Sequence, residues 1–323
     1  MNVSIIGCGA YGLALGSILY KNKCNIKYWT FDKNEKEFLE KNRESNKLKD
    51  FIIPNDVNFS CNMKEVIENS VLIIIAVPAF AFDNVSIEIS KYLKKNQHVL
   101  IATKGIEQDT CMFLNEVFKK YNDSENLAVI SGPTFAVEMV KDIPIGLSLA
   151  VNNFETERIV KAAFENDKTK LRTTNDIIGV EICGSIKNVM AIASGILGGM
   201  KVPDSTKALF LTESLNDVKE LIEELGGDKK TILSFAGFGD ILMTCSSTNS
   251  RNYSFGELIG QGKSKKEIDI YLENTTVEGA YTLKSIHKLI KDRNIYLPII
   301  DLIYDIVFND KPKEEMLTFL IKK

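Results

Sequence analysis

The chain has 323 residues, of which 45% are hydrophobic, and a formal net charge of −3 at pH 7. This content is ample for a large core, and the length predicts two domains. The small negative charge gives no global basic field, so we expect no nucleic-acid partner. The six cysteines stand singly without a CxxC pair, so neither a redox dithiol nor a metal site is predicted.

The N-terminal segment lacks the basic region of a signal peptide, and its apolar residues are used at once in a predicted strand. The longest apolar run, Val71–Val77, is too short to span a bilayer. We therefore expect a cytoplasmic protein without membrane insertion.

The first elements in chain order are a predicted strand, Val3–Ile6, and a predicted helix, Tyr11–Lys21. Between them, Gly7 permits a tight turn, and Gly9 lets a pyrophosphate approach the backbone. Gly12 lets the helix pack closely on the strand. Free N–H groups at the helix start attract the anion. This order predicts a dinucleotide-binding turn, although a plain strand-to-helix turn also needs small residues.

The second predicted strand, Asn25–Trp29, is followed by Asp32 and Lys33. An acidic residue about 20 positions after the glycines can bind the ribose 2′-hydroxyl of NAD. Asp32 lies near that place, but it is equally compatible with a solvated turn or a helix cap. Lys33 could instead meet the 2′-phosphate of NADP, so the choice between the two cofactors stays open.

The rest of the first half alternates strands with helical segments such as Ala81–Lys94 and Thr110–Tyr121. Continuous apolar strands are typical of a parallel sheet covered on both faces. The further predicted strands are Val71–Val77, His98–Thr103, Leu127–Ser131, Ile145–Val151 and Leu171–Thr173.

From about Asp176 onward, long helical segments replace the strands. They are predicted at Ile177–Met200, Ser205–Leu225, Ser250–Ile259, Glu278–Asp292 and Pro298–Phe308. The sequence therefore predicts an α/β protein, with a Rossmann-type, mostly parallel sheet domain over 1–177. An all-helical C-terminal domain is expected over 178–323, with a boundary inside 175–179.

The chain has only two histidines, and neither is expected to be catalytic. His98 stands at the entry to an apolar strand, and His287 lies among lysines on an exposed-looking helix. A proton donor must then be sought among other residues. A lysine removed from water is the natural candidate, because desolvation lowers its pKa toward neutrality.

Two lysines have unusual surroundings. Lys104 directly follows an apolar strand, and the carboxyl ends of strands face the ligand crevice of an open α/β sheet. Lys187 lies among small and apolar residues in GSIKNVMAIASG, 184–195, where a solvated lysine is uncommon. Either side chain could instead extend to the surface.

Three other segments carry candidate polar groups. Asp240, in GFGDILMTC, could orient a lysine or simply cap the following helix. Ser250, Arg251 and Asn252 combine a hydroxyl, a guanidinium and an amide at a predicted helix start, which suits a phosphate. The chain also turns sharply after a strand at 131–136, again at a carboxyl edge.

Together these segments resemble the bacterial-type NAD(P)-dependent glycerol-3-phosphate dehydrogenases, in order, from the first strand to about Phe308. As an ordered set they are highly specific. The segments are GCGAYG at 7–12, ATKGIE at 102–107, SGPTFAVE at 131–138, GSIKNVMAIASG at 184–195, GFGDILMTC at 237–245, SRN at 250–252 and VEG at 277–279.

The resemblance implies an oxidoreductase that interconverts dihydroxyacetone phosphate and sn-glycerol 3-phosphate with NAD(P)H, supplying glycerol 3-phosphate for glycerophospholipid synthesis. By matching positions, Lys187 is the proton donor and acceptor, and Lys104 touches both substrate and cofactor. Asp240 would keep the Lys187 ammonium oriented. The implied substrate contacts are Lys104, Gly132, Thr134, Lys187, Asp240, Ser250, Arg251 and Asn252. The expected cofactor contacts are Gly7, Gly9, Ala10, Tyr11, Gly12, Phe31, Lys104, Ala136, Arg251 and Glu278.

Two positions depart from the family pattern. Phe31 stands where relatives often carry Arg or His near the adenosine, and it can stack on adenine but cannot bind a 2′-phosphate. Glu213 stands where many relatives carry Arg, and nothing in the sequence explains the difference.

Two other functions remain compatible with this pattern. One is a two-domain dehydrogenase of the 3-hydroxyacid or ketopantoate class, and the other is an NAD(P) sensor without turnover. The SRN and GFGDILMTC segments favour a phosphorylated substrate, and Lys104, Lys187 and Asp240 together argue against a sensor. The expected partner is a small phosphorylated molecule, with a homodimer left open.

Overall fold

The computed structural model describes residues 1–49 and 51–322. The chain forms two compact units. The first comprises Met1–Lys104 and Leu114–Ile177, and the second comprises Gly105–Phe113 and the chain from Ile178 onward.

The first unit is built on an eight-stranded sheet in the order β3-β2-β1-β4-β5-β6-β7-β8. Neighbouring strands are parallel except β6 and β7, which are antiparallel. The predicted mostly parallel α/β fold is therefore confirmed. The strands are β1 (Asn2–Ile6), β2 (Asn25–Trp29), β3 (Asn58–Ser60), β4 (Leu72–Ile75), β5 (His98–Ile101), β6 (Leu127–Ser131), β7 (Ile145–Val151) and β8 (Thr169–Thr174).

Strand β1 lies between β2 and β4, so the chain reverses its direction of winding at this strand. Ligands of open α/β sheets bind at the carboxyl ends of strands where the order reverses. The end of β1 is therefore the expected cofactor position. The helices of this unit are α1 (Ala10–Lys21), α2 (Lys33–Asn42), α3 (Met63–Ile67), α4 (Ala79–Ser90), α5 (Leu114–Lys119), α6 (Ala136–Met139) and α7 (Phe154–Phe164).

The second unit is helical, as the pattern after Asp176 predicts. Its elements are α8 (Ile177–Gly199), α9 (Asp204–Glu224), a 3-10 turn (Lys229–Leu233), a π-helical turn (Phe235–Gly239), α10 (Asp240–Cys245), α11 (Arg251–Gly260), α12 (Lys265–Asn274), α13 (Glu278–Asp292), α14 (Pro298–Phe308) and α15 (Glu315–Lys322).

Helix α8 is the central element of the second unit. It is long and apolar enough to cross a membrane by length and composition, but 94% of its most apolar window is buried within the protein. Core helices of soluble proteins have the same properties. The apolar runs considered in the sequence did not single out this segment, because glycines and the polar residues Glu181, Lys187 and Asn188 interrupt it.

Helices α8 and α11 run parallel and touch through glycines. A Cβ on Gly195 would overlap the carbonyl oxygen of Tyr253, and one on Gly256 would overlap that of Ile192. The two backbones therefore approach closely along this pair. The close packing fixes the position of α11 along the C-terminal half of α8.

Candidate functional site

The turn after β1 has the geometry expected of a dinucleotide site. Gly7 has a φ of +118°, a conformation that L side chains rarely adopt. A Cβ on Gly12 would overlap the carbonyl oxygen of Gly7, so helix α1 packs against the turn as predicted. A Cβ on Gly9 would meet nothing within 4 Å, which leaves open space beside the backbone.

Helix α1 begins at Ala10, and its cap residue, Gly9, offers no side-chain oxygen to the first N–H groups. Such N–H groups, together with the positive end of the helix, attract an anion. The open space at Gly9 and these donors fit the pyrophosphate of an NAD(P) cofactor. Tyr11, in the first turn of the helix, lies at the same place.

Asp32, which lies just after the end of β2, has a local structural role. Its side chain accepts a hydrogen bond from the Asn34 N–H at 2.8 Å, so Asp32 caps helix α2. The neighbouring Phe31 is 82% exposed, which leaves its ring accessible to a flat ligand. Lys33, the first residue of α2, is exposed as well.

Lys104 follows β5 and reaches the turn after β6. Its Nζ donates to the carbonyl oxygen of Gly132 at 3.2 Å and lies 5.7 Å from the centre of the Tyr11 ring. The hydroxyl of Thr134, which is buried, also donates to Gly132 O at 3.3 Å. Ala136 begins the short helix α6 directly after this turn. The first unit thus groups its predicted site residues at the carboxyl ends of β1, β2, β5 and β6.

Lys187 and Asp240 form a buried ion pair in the second unit. Nζ of Lys187 lies 2.6 Å from Oδ1 of Asp240, and the two side chains are 9% and 0% exposed. Lys187 also donates to the Thr244 hydroxyl at 3.3 Å, while that hydroxyl donates to the Asp240 carbonyl oxygen at 2.6 Å. The ammonium therefore has fixed acceptors and does not extend to the surface.

The local backbone explains how Asp240 reaches the lysine. A Cβ on Gly237 would overlap the carbonyl oxygen of Ile232, so only glycine allows the π-helical turn to pack here. The side chain of Ser234 accepts from Gly237 N–H at 3.2 Å and caps the turn. The cap of α10 is Gly239, not Asp240, so the alternative helix-cap role of Asp240 is wrong. Single π turns occur frequently at functional sites.

Asn252 joins three helices of the second unit. Its Nδ2 donates to Asn188 Oδ1 on α8 at 3.0 Å, and its Oδ1 accepts from Gly279 N–H on α13 at 2.8 Å. The amide is largely buried. Asn252 therefore fixes the start of α11 beside the residue that follows Lys187.

Ser250 and Arg251 lie at the start of α11. Ser250 is the cap residue, and its hydroxyl accepts from Tyr253 N–H at 3.3 Å. The side chain of Arg251 is exposed, while its carbonyl oxygen accepts from the Tyr271 hydroxyl at 3.0 Å. A free guanidinium above a helix N-terminus can bind a phosphate. Glu278 begins helix α13, one residue before Gly279.

The two histidines have structural contacts. His98 is buried, and its Nδ1 lies 2.9 Å from the Thr156 hydroxyl. The ring of His287 stacks on Tyr304 with centres 3.9 Å apart, and its Nε2 lies 3.3 Å from Asp301. His287 is thus only partly exposed, in contrast to the solvated position expected of it.

Sequence reasoning missed two contributors to these clusters, Thr244 and Asn188. Thr244 lies four residues after Asp240, a spacing that puts both on one helix face, so the signal was present in GFGDILMTC. Asn188 directly follows Lys187, but its contact with Asn252 spans 64 residues and has no local signal.

Among residues 1–49 and 51–322, no group of three His, Cys, Asp or Glu side chains could hold a metal ion.

Comparison with known proteins gives a consistent family. Residues 2–157 match the family described as NAD-dependent glycerol-3-phosphate dehydrogenase N-terminus, and residues 176–318 match its C-terminus.

The NAD(P)+ glycerol-3-phosphate dehydrogenase of Fusobacterium nucleatum is 36% identical over 324 residues, 99% of this chain and 96% of that protein. The Thermoanaerobacter sp. enzyme of the same name is 36% identical over 323 residues, 100% of this chain and 97% of that protein. The solved structure of glycerol-3-phosphate dehydrogenase from Coxiella burnetii superposes with a TM-score of 0.92 at 28% identity, covering 100% of this chain and 99% of that one. The protein therefore belongs to the family of NAD(P)-dependent glycerol-3-phosphate dehydrogenases.

Proposed function

We propose that the protein interconverts dihydroxyacetone phosphate and sn-glycerol 3-phosphate with NAD(P)H. The observation that carries the proposal is the buried pair of Lys187 and Asp240 at 2.6 Å. A buried ammonium with a fixed carboxylate partner is suited to hold and return a proton at a carbonyl oxygen. NAD(P)H is assigned as the redox partner because of the family and because of the glycine turn after β1.

The first unit is assigned to the cofactor. Gly7, Gly9 and Gly12 shape the turn, and the N–H groups at Ala10 and Tyr11 receive the pyrophosphate. These residues would hold NAD(P)H, which when bound would supply the hydride for the carbonyl carbon and in its oxidised form would accept one in the reverse direction. We assign 1–177 to this role and 178–323 to the substrate, and we carry over Phe31, Ala136 and Glu278 as cofactor contacts by family resemblance.

The second unit is assigned to the proton and the phosphate. Lys187 stabilises negative charge on the carbonyl oxygen and donates the proton from Nζ, while Asp240 and Thr244 fix the direction of that ammonium. Arg251 and the N-terminus of α11, capped by Ser250, hold the phosphate. Holding the phosphate fixes the position of the carbonyl carbon.

Lys104, Gly132 and Thr134 complete the assignment. Their mutual hydrogen bonds already place one ammonium and one hydroxyl on a single carbonyl oxygen. We assign them to the substrate, and Lys104 to the cofactor as well, by family resemblance. Asn252 is assigned as a substrate contact on the same ground, although its side-chain amide is already hydrogen-bonded to Asn188 and Gly279.

The experiment is a cofactor-oxidation assay with dihydroxyacetone phosphate, ketopantoate and a 3-keto acid as alternative substrates. We expect turnover with dihydroxyacetone phosphate alone and formation of sn-glycerol 3-phosphate. Turnover of ketopantoate or the keto acid in its place would assign the protein to the other dehydrogenase class. Cofactor binding without turnover of any substrate would identify a sensor.

We also propose the cellular role that follows from this reaction. Its product is the backbone of glycerophospholipids, so the protein would supply lipid synthesis from the cytoplasm. Depletion of the protein in its host should make growth dependent on added glycerol or glycerol 3-phosphate. Growth that is indifferent to both supplements would contradict this role.

A further inference from the structure

Two acidic residues lie near the carboxyl end of β2, and the structure separates their roles. Asp32 is used by the backbone, because its carboxylate accepts from Asn34 N–H at 2.8 Å. Glu35, one turn later on α2, reaches back to the strand. Its Oε2 accepts from the Thr30 hydroxyl at 2.6 Å, and its Oε1 pairs with Lys47.

These contacts hold the Glu35 carboxylate in one place while leaving an edge open. Thr30 is 2% exposed, so its hydroxyl is a fixed donor. The Glu35 side chain is 17% exposed, whereas that of Lys47 is 56% exposed. A carboxylate has about four acceptor positions, so the two contacts leave capacity for a further donor.

The same carboxylate lies beside the glycine turn. The N–H of Gly7 donates to Trp29 O at 2.9 Å, which joins the turn to the end of β2. The buried Cys8 thiol lies 3.7 Å from that oxygen. Burial raises the pKa of Cys8, the negative charge of Glu35 adds to the rise, and Lys47 opposes it. Glu35 and Lys47 are therefore within electrostatic range of the turn.

We propose that Glu35 selects the cofactor, by accepting the ribose 2′-hydroxyl of the adenosine half and repelling a 2′-phosphate, so that the protein prefers NADH to NADPH. The inference rests on the proposed function and assigns it a specificity residue. A 2′-hydroxyl can donate to the open edge of Glu35. A 2′-phosphate can only accept, and it carries negative charge toward a carboxylate.

The surrounding cations do not reverse this preference. Lys47 is paired with Glu35, so its charge is already compensated. Arg43 is directed elsewhere, since its guanidinium donates to Pro54 O at 3.4 Å and to Val57 O at 2.8 Å. Residues 30–36 contain no arginine. Lys36 is paired with Glu40 at 2.9 Å, and Lys33, the first residue of α2, is exposed.

The test compares kcat/KM for NADH and NADPH in the wild type and in Glu35→Gln. The wild type should favour NADH by at least about tenfold, and Glu35→Gln should reduce that ratio by about tenfold or more. The glutamine keeps the acceptor for Thr30 but removes the charge and releases Lys47 toward a 2′-phosphate. The change should appear in the KM for NADPH rather than in kcat.

Two matched variants assign the effect to Glu35. Glu40→Gln makes the same change on the same helix, where Glu40 pairs with Lys36 at 2.9 Å. Asp32→Asn removes the other charge and keeps a good cap. Both should leave the NADH-to-NADPH ratio within about twofold, well below the effect of one lost charge contact. A wild type without NADH preference, or a shift in Asp32→Asn as large as in Glu35→Gln, would overturn the proposal.

A binding measurement keeps this inference separate from the proposed reaction. Trp29 is the only tryptophan and ends β2, so its fluorescence reports cofactor binding without substrate. Tighter binding of NADH than NADPH, lost in Glu35→Gln, supports the inference even if dihydroxyacetone phosphate is not turned over. Equal affinities in the wild type refute it even if that substrate is turned over.

Discussion

At the scale of single residues, the proposed mechanism depends most on the buried Lys187–Asp240 ion pair. Lys187→Ala should cut turnover by at least about a hundredfold, because general acid–base assistance is lost. Cofactor affinity should remain nearly unchanged. The variant also leaves Asp240 buried without its ammonium, which costs about 3–5 kcal/mol of folding free energy.

The control for that variant is Lys187→Ala combined with Asp240→Asn, which removes both charges. It should recover part of the unfolding free energy in a denaturant titration while turnover stays low. Near-normal turnover in a folded Lys187→Ala protein would remove Lys187 from the mechanism.

Arg251 tests the phosphate assignment. Arg251→Lys keeps the charge but loses the planar fork, so kcat/KM for dihydroxyacetone phosphate should fall about tenfold or more, mainly through KM. Unphosphorylated dihydroxyacetone, already a poor substrate, should be affected much less. An equal loss for both substrates would assign Arg251 to the cofactor or to the fold.

A substitution at Phe31 tests whether this side chain faces the adenosine half of the cofactor. Its ring is 82% exposed, so an arginine there can reach solvent and a nearby anion. Phe31→Arg should tighten NADPH more than NADH, because a charge-assisted bond to the 2′-phosphate becomes available. Fluorescence titration of both cofactors measures the change. Parallel changes in the two affinities would mean that this side chain does not face the 2′ position.

At the scale of elements, the glycine contact between α8 and α11 makes a test with an internal control. A Cβ on Gly195 would overlap the carbonyl oxygen of Tyr253, whereas one on Gly198 would meet the outer ring and hydroxyl of the Tyr253 side chain, which can move more easily than backbone. Gly195→Ala should therefore displace the start of α11 and raise KM for dihydroxyacetone phosphate. Gly198→Ala should be tolerated, as thermal unfolding and kinetics of both would show.

The elements also show what the sequence could and could not predict. The limits of β2, β6 and β7 coincide with the predicted ones, because these apolar-rich segments are followed directly by Thr30, Gly132 and Asn152. Strand β3 was missed because Asn58–Ser60 is three residues long with polar ends. Helix α5 begins at Leu114 rather than at Thr110, because the preceding segment belongs to a turn closed by the Glu107 carboxylate.

The candidate site shows the same limit. The apolar surroundings of Lys187 marked it as unusual, and the structure buries it. Its partner Asp240 is 53 residues away in the sequence. The π-helical turn that positions the Asp240 side chain has no periodic sequence pattern from which it could be predicted. Likewise, Glu35 was not a sequence candidate, because its contact with Lys47 joins residues 12 positions apart and has no local pattern. Contacts between distant segments can be identified only once the folded structure is known.

At the scale of the whole molecule, the proposed division of labour predicts where each ligand slows amide hydrogen exchange. A ligand at about 100 times its Kd stabilises the state that it binds by about 2.7 kcal/mol. NADH alone should protect the turn after β1 and the end of β2 more than α8 and the start of α11. Glycerol 3-phosphate alone should protect the start of α11 and the middle of α8.

Glycerol at the same concentration is the control, since it lacks the phosphate that Arg251 and the helix N-terminus are assigned to hold. It should leave the exchange of α11 unchanged. Arg251→Lys should weaken protection by glycerol 3-phosphate without altering protection by NADH at the glycine turn. If NADH alone protects α8 and α11 as strongly as the glycine turn, the assignment of cofactor to 1–177 and substrate to 178–323 is wrong. Both units would then take part in cofactor binding from the start.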